Sequence, residues 1–125
     1  MGLKIPVSGQ CHCGEVQFRA VARKAQALEC NCSICSMSGF VHIIVGAKDF
    51  ELIQGDSALS CYRFNTQIAE HTFCSHCGVK PFYRPRSHPE GFSVNWRCIP
   101  VAQQQKFTIV PFNGQAWEAS VHKIR

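Results

Sequence analysis

The sequence predicts a mainly β fold of short strands. Three observations carry this: period-two alternation of apolar and polar residues in several separate segments, turn residues at the ends of those segments, and very little helical periodicity. The 125 residues amount to one domain, 1–125, with room for a single core. In chain order the alternation runs over 16–21, 41–45, 50–53, 59–64 and 92–96, each bounded by Gly, Pro, Asp or Asn, and 106–110 adds a further strand. Asn113 can cap one brief helix that carries Trp117 and Val121 four apart on one face.

Composition excludes several classes. With 46% apolar and 17% charged residues the chain is a folded domain and not a disordered tail. The longest uncharged apolar stretch, 39–47, is nine residues and includes His42, far short of the roughly 20 that span a bilayer. Residues 1–10 show no basic segment followed by an apolar run and a cleavage site, so the expected location is the cytosol. Pro6 stands where a myristoylation signal needs Ser or Thr.

The unusual feature is nine cysteines without an export signal. Disulfides do not persist in a reducing compartment, so clustered cysteines there are metal ligands or catalytic thiols. Seven of them cluster, as Cys11-His12-Cys13, Cys30-Asn31-Cys32-Ser33-Ile34-Cys35 and Cys74-Ser75-His76-Cys77, while Cys61 and Cys98 stand alone. Gly14 and Gly78 follow two of the clusters, and glycine permits the tight turn that aims two sulfurs at one zinc ion. Buried free thiols would instead be scattered at strand period. Seven sulfurs divide into four plus three, a closed structural zinc and a reactive zinc with one open position. Spacing leaves the pairing undecided, because Cys32 and Cys35 with Cys74 and Cys77 would also make a four-thiolate site.

Three motifs in order, Gly9-Gln10-Cys11-His12-Cys13-Gly14, Glu29-Cys30-Asn31-Cys32-Ser33-Ile34-Cys35 and His71-Thr72-Phe73-Cys74-Ser75-His76-Cys77-Gly78-Val79, resemble the glutathione-dependent formaldehyde-activating enzyme family, and most closely its centromere protein V-like branch. The stretch from Phe82 to Phe92 and the late Phe112-Asn113-Gly114 with Trp117-Glu118 are similar as well. By position, the resemblance implies a structural zinc on Cys11, Cys13, Cys74 and Cys77, and a catalytic zinc on Cys30, Cys32 and Cys35, two zinc ions per chain. It also implies an Mss4-like fold of small antiparallel sheets joined around the structural zinc. Cys13 and Cys74 are 61 positions apart, so one ion would tie the start of the domain to its middle, whereas the second is held by a single loop.

Three thiolates leave a zinc ion with a formal charge of −1, a poor activator of water but a good partner for a fourth sulfur. The expected activity is that of a carbon–sulfur lyase acting on thiol–aldehyde adducts: glutathione and formaldehyde joined as S-hydroxymethylglutathione, or the reverse. Lys80, Arg84, Arg86 and Arg97 are candidates for the two glutathione carboxylates, or else form a solvated basic face. His12 and His76 lie inside ligand motifs that already have enough sulfur. His42 reads as the polar side of a strand or as an acid or base beside the open zinc, and His71 and His88 are undecided. Trp96 and Phe92 read as core. Arg97-Cys98 has a counterpart in B-type methionine sulfoxide reductases, but Pro100 and the triple-cysteine cluster do not. Cys61 reads as an inert strand residue.

Thirteen Lys and Arg against eight Asp and Glu give +5. Two zinc ions add four positive charges and seven thiolates seven negative ones, leaving about +2 in the metal-loaded form. The basic residues are dispersed and form no run, so nucleic acid is not the expected partner. The alternative to the enzyme is a non-catalytic, zinc-stabilised protein- or nucleic-acid-binding module.

Overall fold

The computed structural model describes residues 3–63, 69–88, 90–114 and 121. Among them are ten strands: β1 (Ile5–Gln10), β2 (Gln17–Ala22), β3 (Gln26–Cys30), β4 (Val41–Val45), β5 (Phe50–Gln54), β6 (Leu59–Tyr62), β7 (His71–Cys74), β8 (Phe82–Tyr83), β9 (Phe92–Asn95) and β10 (Thr108–Phe112). Two short helices, α1 (Ser33–Ser38) and α2 (Val101–Gln104), and 3-10 turns complete the order. The strands form three small sheets, β1-β2-β5, β10-β3-β4-β9-β8 and the hairpin β6-β7. No helix among the described residues is long and apolar enough to cross a membrane.

The mainly β class is as the alternation predicts, with one departure from an all-antiparallel arrangement. β10 runs parallel to β3, with Thr108 beside Gln26 and Phe112 beside Cys30. A parallel neighbour needs a long crossover, and the chain from α1 to α2 supplies it. The predicted segments correspond to β2, β4, β5, β6, β9 and β10 within one or two residues at each end; position 64 lies outside the described residues. The segment 92–96 stops one residue early because Asn95 accepts the Arg97 N–H and turns the chain into the 3-10 turn Trp96–Cys98. The proposed helix carrying Trp117 also falls outside the described residues.

Four strands and both helices were not legible. In β1, Pro6 and Gly9 disguise a real alternation in which Ile5 and Val7 are buried; Pro6 is tolerated because β1 is an edge strand. β3 is too polar to show its period, and β7 is mostly ligand motif. α1 has Met37 as its one strong helix former among serines, Ile34 and Cys35, and is stopped by Gly39 at φ 68°, whose N–H bonds the Cys35 carbonyl.

The three-stranded sheet is packed on the five-stranded one through aromatic rings. Phe18 and Phe50 from the first meet Phe82 and Phe92 from the second at centroid distances from 4.2 to 6.2 Å. Val16, Ile43 and Val94 fill the same core, as do Cys11 and Cys74. β4 lies in the middle of its sheet with both faces covered, so its strand pattern reads buried almost throughout.

Candidate functional site

Cys11, Cys13, Cys74 and Cys77 converge where the end of β1 meets the end of β7, their sulfurs all within 4.8 Å of one another. The two segments reach this point by matching turns. Gly14 (φ 82°) donates its N–H to the Cys11 carbonyl and Gly78 (φ 77°) donates to that of Cys74; Cys11 N–H bonds Val16 O and Cys74 N–H bonds Val79 O. Both glycines adopt left-handed backbone, which a β-carbon would strain. The Val16 N–H also points at Cys11 Sγ, 3.3 Å away. Zinc holds thiolates at about 2.3 Å, so two sulfurs of one tetrahedral site stand about 3.8 Å apart. The Cys11–Cys13 and Cys13–Cys74 distances of 3.6 and 3.7 Å fit that edge. This donor set can hold a metal ion; Cys32 and Cys35 are not part of it.

Cys30, Cys32 and Cys35 form a second cluster from one local segment: the last residue of β3, the residue that caps α1, and the middle of α1. The three sulfurs hydrogen-bond one another: bonds from Cys30 and Cys35 lower the Cys32 thiol, whereas bonds to Cys30 and Cys32, with burial, raise that of Cys35. The segment is braced from β10: Asn31 N–H donates to Phe112 O (3.2 Å) and Asn31 Nδ2 to Asn113 Oδ1 (3.2 Å). A β-carbon on Gly114 would collide with Cys30 Sγ and come within 3.0 Å of Cys32 Cβ, which explains glycine there. The late Phe112-Asn113-Gly114 motif, weak as a sequence signal, therefore belongs to the cysteine loop.

Behind this cluster is a buried polar pocket around His42, which stands beside the three cysteines, as one of its two sequence readings had it, but not on the polar side of a strand. His42 does not face solvent; it is 5% exposed, because β4 is covered on both sides. Its Nε2 lies 3.0 Å from Cys35 Sγ, and its Nδ1 lies 2.9 Å from Ser93 Oγ and 3.3 Å from Tyr83 Oη. Cys30, Cys35 and His42 bring their ligand atoms within 4.8 Å of one another. The Lys80 ammonium is buried 2.6 Å from His71 Nδ1 and 3.9 Å from the centroid of the Tyr83 ring. Burial lowers Lys80 to about 8, opposed by the charges of Cys35 and Cys32. Burial, followed by the charge of Lys80, lowers His42 to about 3 and His71 to about 4, so both imidazoles are neutral near pH 7. The one signal in the sequence was a histidine inside the apolar run of β4.

The other candidates have different places. Lys80 turns inward and is no surface ligand for carboxylates. Arg97 Nε donates to the Gly39 carbonyl at the end of α1 (2.8 Å), and the Arg84 guanidinium lies 4.4 Å from the centroid of the Phe92 ring and beside Glu70. A groove of about 1080 Å³ is instead lined by Lys24 and Lys48 together with Phe112 and Asn113, the residues that brace the cysteine loop. Its third cation, Arg23, is paired with Asp49 at 2.8 Å. His12 and His76 are exposed and outside both sulfur clusters. Phe92 and Trp96 pack on the core. Burial pushes the Cys98 thiol up to about 12, which removes the reactive thiolate a reductase would need. Cys61 is exposed opposite Thr72.

Comparison with known proteins places these clusters in a family. Over 80 residues the chain is 32% identical to a Halomonas elongata protein with the provisional name of a glutathione-dependent formaldehyde-activating enzyme; the match takes in 57% of this chain and 51% of that protein. The chain thus spans about half the length of this curated relative. The crystal structure of a Rhodobacter sphaeroides protein has a TM-score of 0.74 and 31% identity, over 83% of this chain and 97% of that one. Residues 6–112, which contain both clusters and the β10 brace up to Phe112, match the model of one family, and the chain belongs to it: the glutathione-dependent formaldehyde-activating enzymes.

Proposed function

We propose that the chain is a zinc-dependent carbon–sulfur lyase acting on thiol–aldehyde adducts, with glutathione and formaldehyde forming S-hydroxymethylglutathione, or the reverse. The observation that supports this reading is that Cys30, Cys32 and Cys35 hydrogen-bond one another within six consecutive residues, separate from the four-sulfur cluster, with Cys30 and Cys35 also within 4.8 Å of a nitrogen of His42. Cys11, Cys13, Cys74 and Cys77 are read as the closed structural site, and residues 1–125 as one zinc-binding domain. Family membership supports the glutathione-dependent role. Cytosolic placement, where glutathione is reduced, belongs to the same proposal.

When bound by Cys30, Cys32 and Cys35, zinc supplies a soft Lewis-acid position at which an incoming thiol loses its proton. The overall addition is redox-neutral: the thiol sulfur bonds to the aldehyde carbon, the π pair moves onto the carbonyl oxygen, and that oxygen ends with the proton the thiol gave up. The protein's part is placement. The β10 brace fixes the loop through Asn31 and Asn113. Lys24 and Lys48, exposed in the adjoining groove, are the cations offered to the two carboxylates of the thiol.

The test is hemithioacetal formation from glutathione and formaldehyde, measured against the uncatalysed rate for the wild type and for Cys32→Ser. The wild type accelerates the reaction and Cys32→Ser does not. Equal rates for both, each no faster than buffer, would leave a zinc-stabilised binding module.

A further inference from the structure

His42 is the buried group closest to the chemistry that the preceding reading leaves without a task. A neutral imidazole has one donor and one acceptor nitrogen. Its two nitrogens face different partners: Nε2 faces Cys35 Sγ at 3.0 Å, while Nδ1 faces two hydroxyls, Ser93 Oγ at 2.9 Å and Tyr83 Oη at 3.3 Å. A hydroxyl can donate or accept, but a thiolate only accepts. Once Cys35 is a thiolate, as metal binding requires, only the tautomer with its proton on Nε2 gives that sulfur a donor. Nε2–H donates to the sulfur, and Ser93 O–H donates to Nδ1.

The distance from His42 to Cys35 argues that His42 is not itself a fourth ligand. Ligand bonds of about 2.3 Å to sulfur and about 2.0 Å to nitrogen put co-ligating S and N about 3.5 Å apart. The four-sulfur cluster shows co-ligand spacing at 3.6 and 3.7 Å, whereas Cys35 and His42 are closer, at 3.0 Å, which is hydrogen-bond contact. Cys32 hydrogen-bonds Cys30 and Cys35 and completes the three-cysteine cluster, while His42, on β4, meets that cluster at Cys35.

We propose that His42 is a positioning residue of the three-cysteine site, donating Nε2–H to the Cys35 sulfur with its ring held at Nδ1 by Ser93, and leaving the fourth coordination position for the thiol substrate. The hydrogen bond orients the Cys35 thiolate and withdraws charge from it. Partners of this kind, beyond the ligands themselves, typically change metal affinity on the order of 10- to 100-fold. The inference rests on the reading of Cys30, Cys32 and Cys35 as metal ligands.

The experiment uses the full chain under reducing conditions, as wild type, His42→Leu, His42→Gln and Ser93→Ala. Zinc retention is measured against a competing chelator, the cobalt(II)-substituted proteins are examined by absorption, and ¹⁵N NMR of the His42 ring is recorded on the zinc-loaded wild type. The expected wild type binds two ions and carries the ring proton on Nε2. His42→Leu releases the weaker ion about 10- to 100-fold more readily with its sulfur-to-cobalt charge-transfer intensity unchanged. His42→Gln, which restores an N–H donor, recovers most of the loss, and Ser93→Ala, which keeps the imidazole, falls between. A ring proton on Nδ1, a metal-bound Nε2, or equal retention in the Leu, Gln and wild-type proteins would overturn the assignment. A wild type that binds one ion would overturn the metal reading of the loop as well, and so separates the two failures.

Discussion

The two sulfur clusters place the same side chain in opposite settings. The four-cysteine cluster joins segments 61 residues apart, and two of its sulfurs are in the hydrophobic core. Each half is a glycine turn whose backbone closes on itself. The three-cysteine cluster is drawn from six consecutive residues, supported on one side by β10 and on the other by a buried polar pocket. Tying distant segments together gives stability; a local loop over polar groups gives little stability but can be tuned. The contrast teaches that the role of a thiolate cluster follows from which parts of the chain it joins and what lies behind it, more than from its sulfurs.

The largest effect should come from Cys74→Ser. It removes a sulfur that seals the core and, on the proposed reading, a metal ligand that joins the two halves; with metal binding contributing on the order of 10 kcal/mol in small zinc domains, the loss matches the whole margin of a typical domain. Circular dichroism at 25 °C should show an unfolded chain, and a cooperative melt near that of the wild type would erase the contrast. Gly114→Val should do the reverse, leaving the fold and the four-cysteine site intact while forcing the Cys30–Cys32 loop aside. Displacements of this size cost about 10²-fold in turnover, so thiol–aldehyde kinetics alongside a thermal melt would sharpen the division.

The smallest effect is in pH. His71, normally near 6.5, is lowered to about 4 by burial and then by the charge of Lys80. The unfolded chain therefore binds the extra proton first, and this part of the stability is complete above about pH 6.5 and declines as pH falls toward 4. His71→Gln should flatten that stretch of the urea midpoint against pH; an unchanged slope would show that the pocket behind the loop carries no such penalty.

Much of this was legible in the sequence because cysteines in short motifs are rare and strands with one wet face keep their alternation. β2 and β5 could be read from their period, and all three cysteine motifs from their spacing. What escaped has physical reasons. β1 hides behind an edge proline, and α1 forms although Met37 is its one strong helix former. The inward turn of Lys80 and the burial of His42 depend on a sheet covered on both faces, a tertiary fact that no local pattern records. Likewise the contact of Gly114 with the cysteine loop comes from the parallel pairing of β10 with β3, strands far apart in the chain.

Stepwise removal of zinc by a graded chelator, with metal content, far-ultraviolet circular dichroism and thiol–aldehyde turnover followed in the same reduced sample, tests the division between the clusters most directly. Loss of the first ion should abolish turnover while the spectrum stays folded, and loss of the second should unfold the chain. A single ion per chain, or turnover and fold vanishing together with the first ion removed, would contradict it.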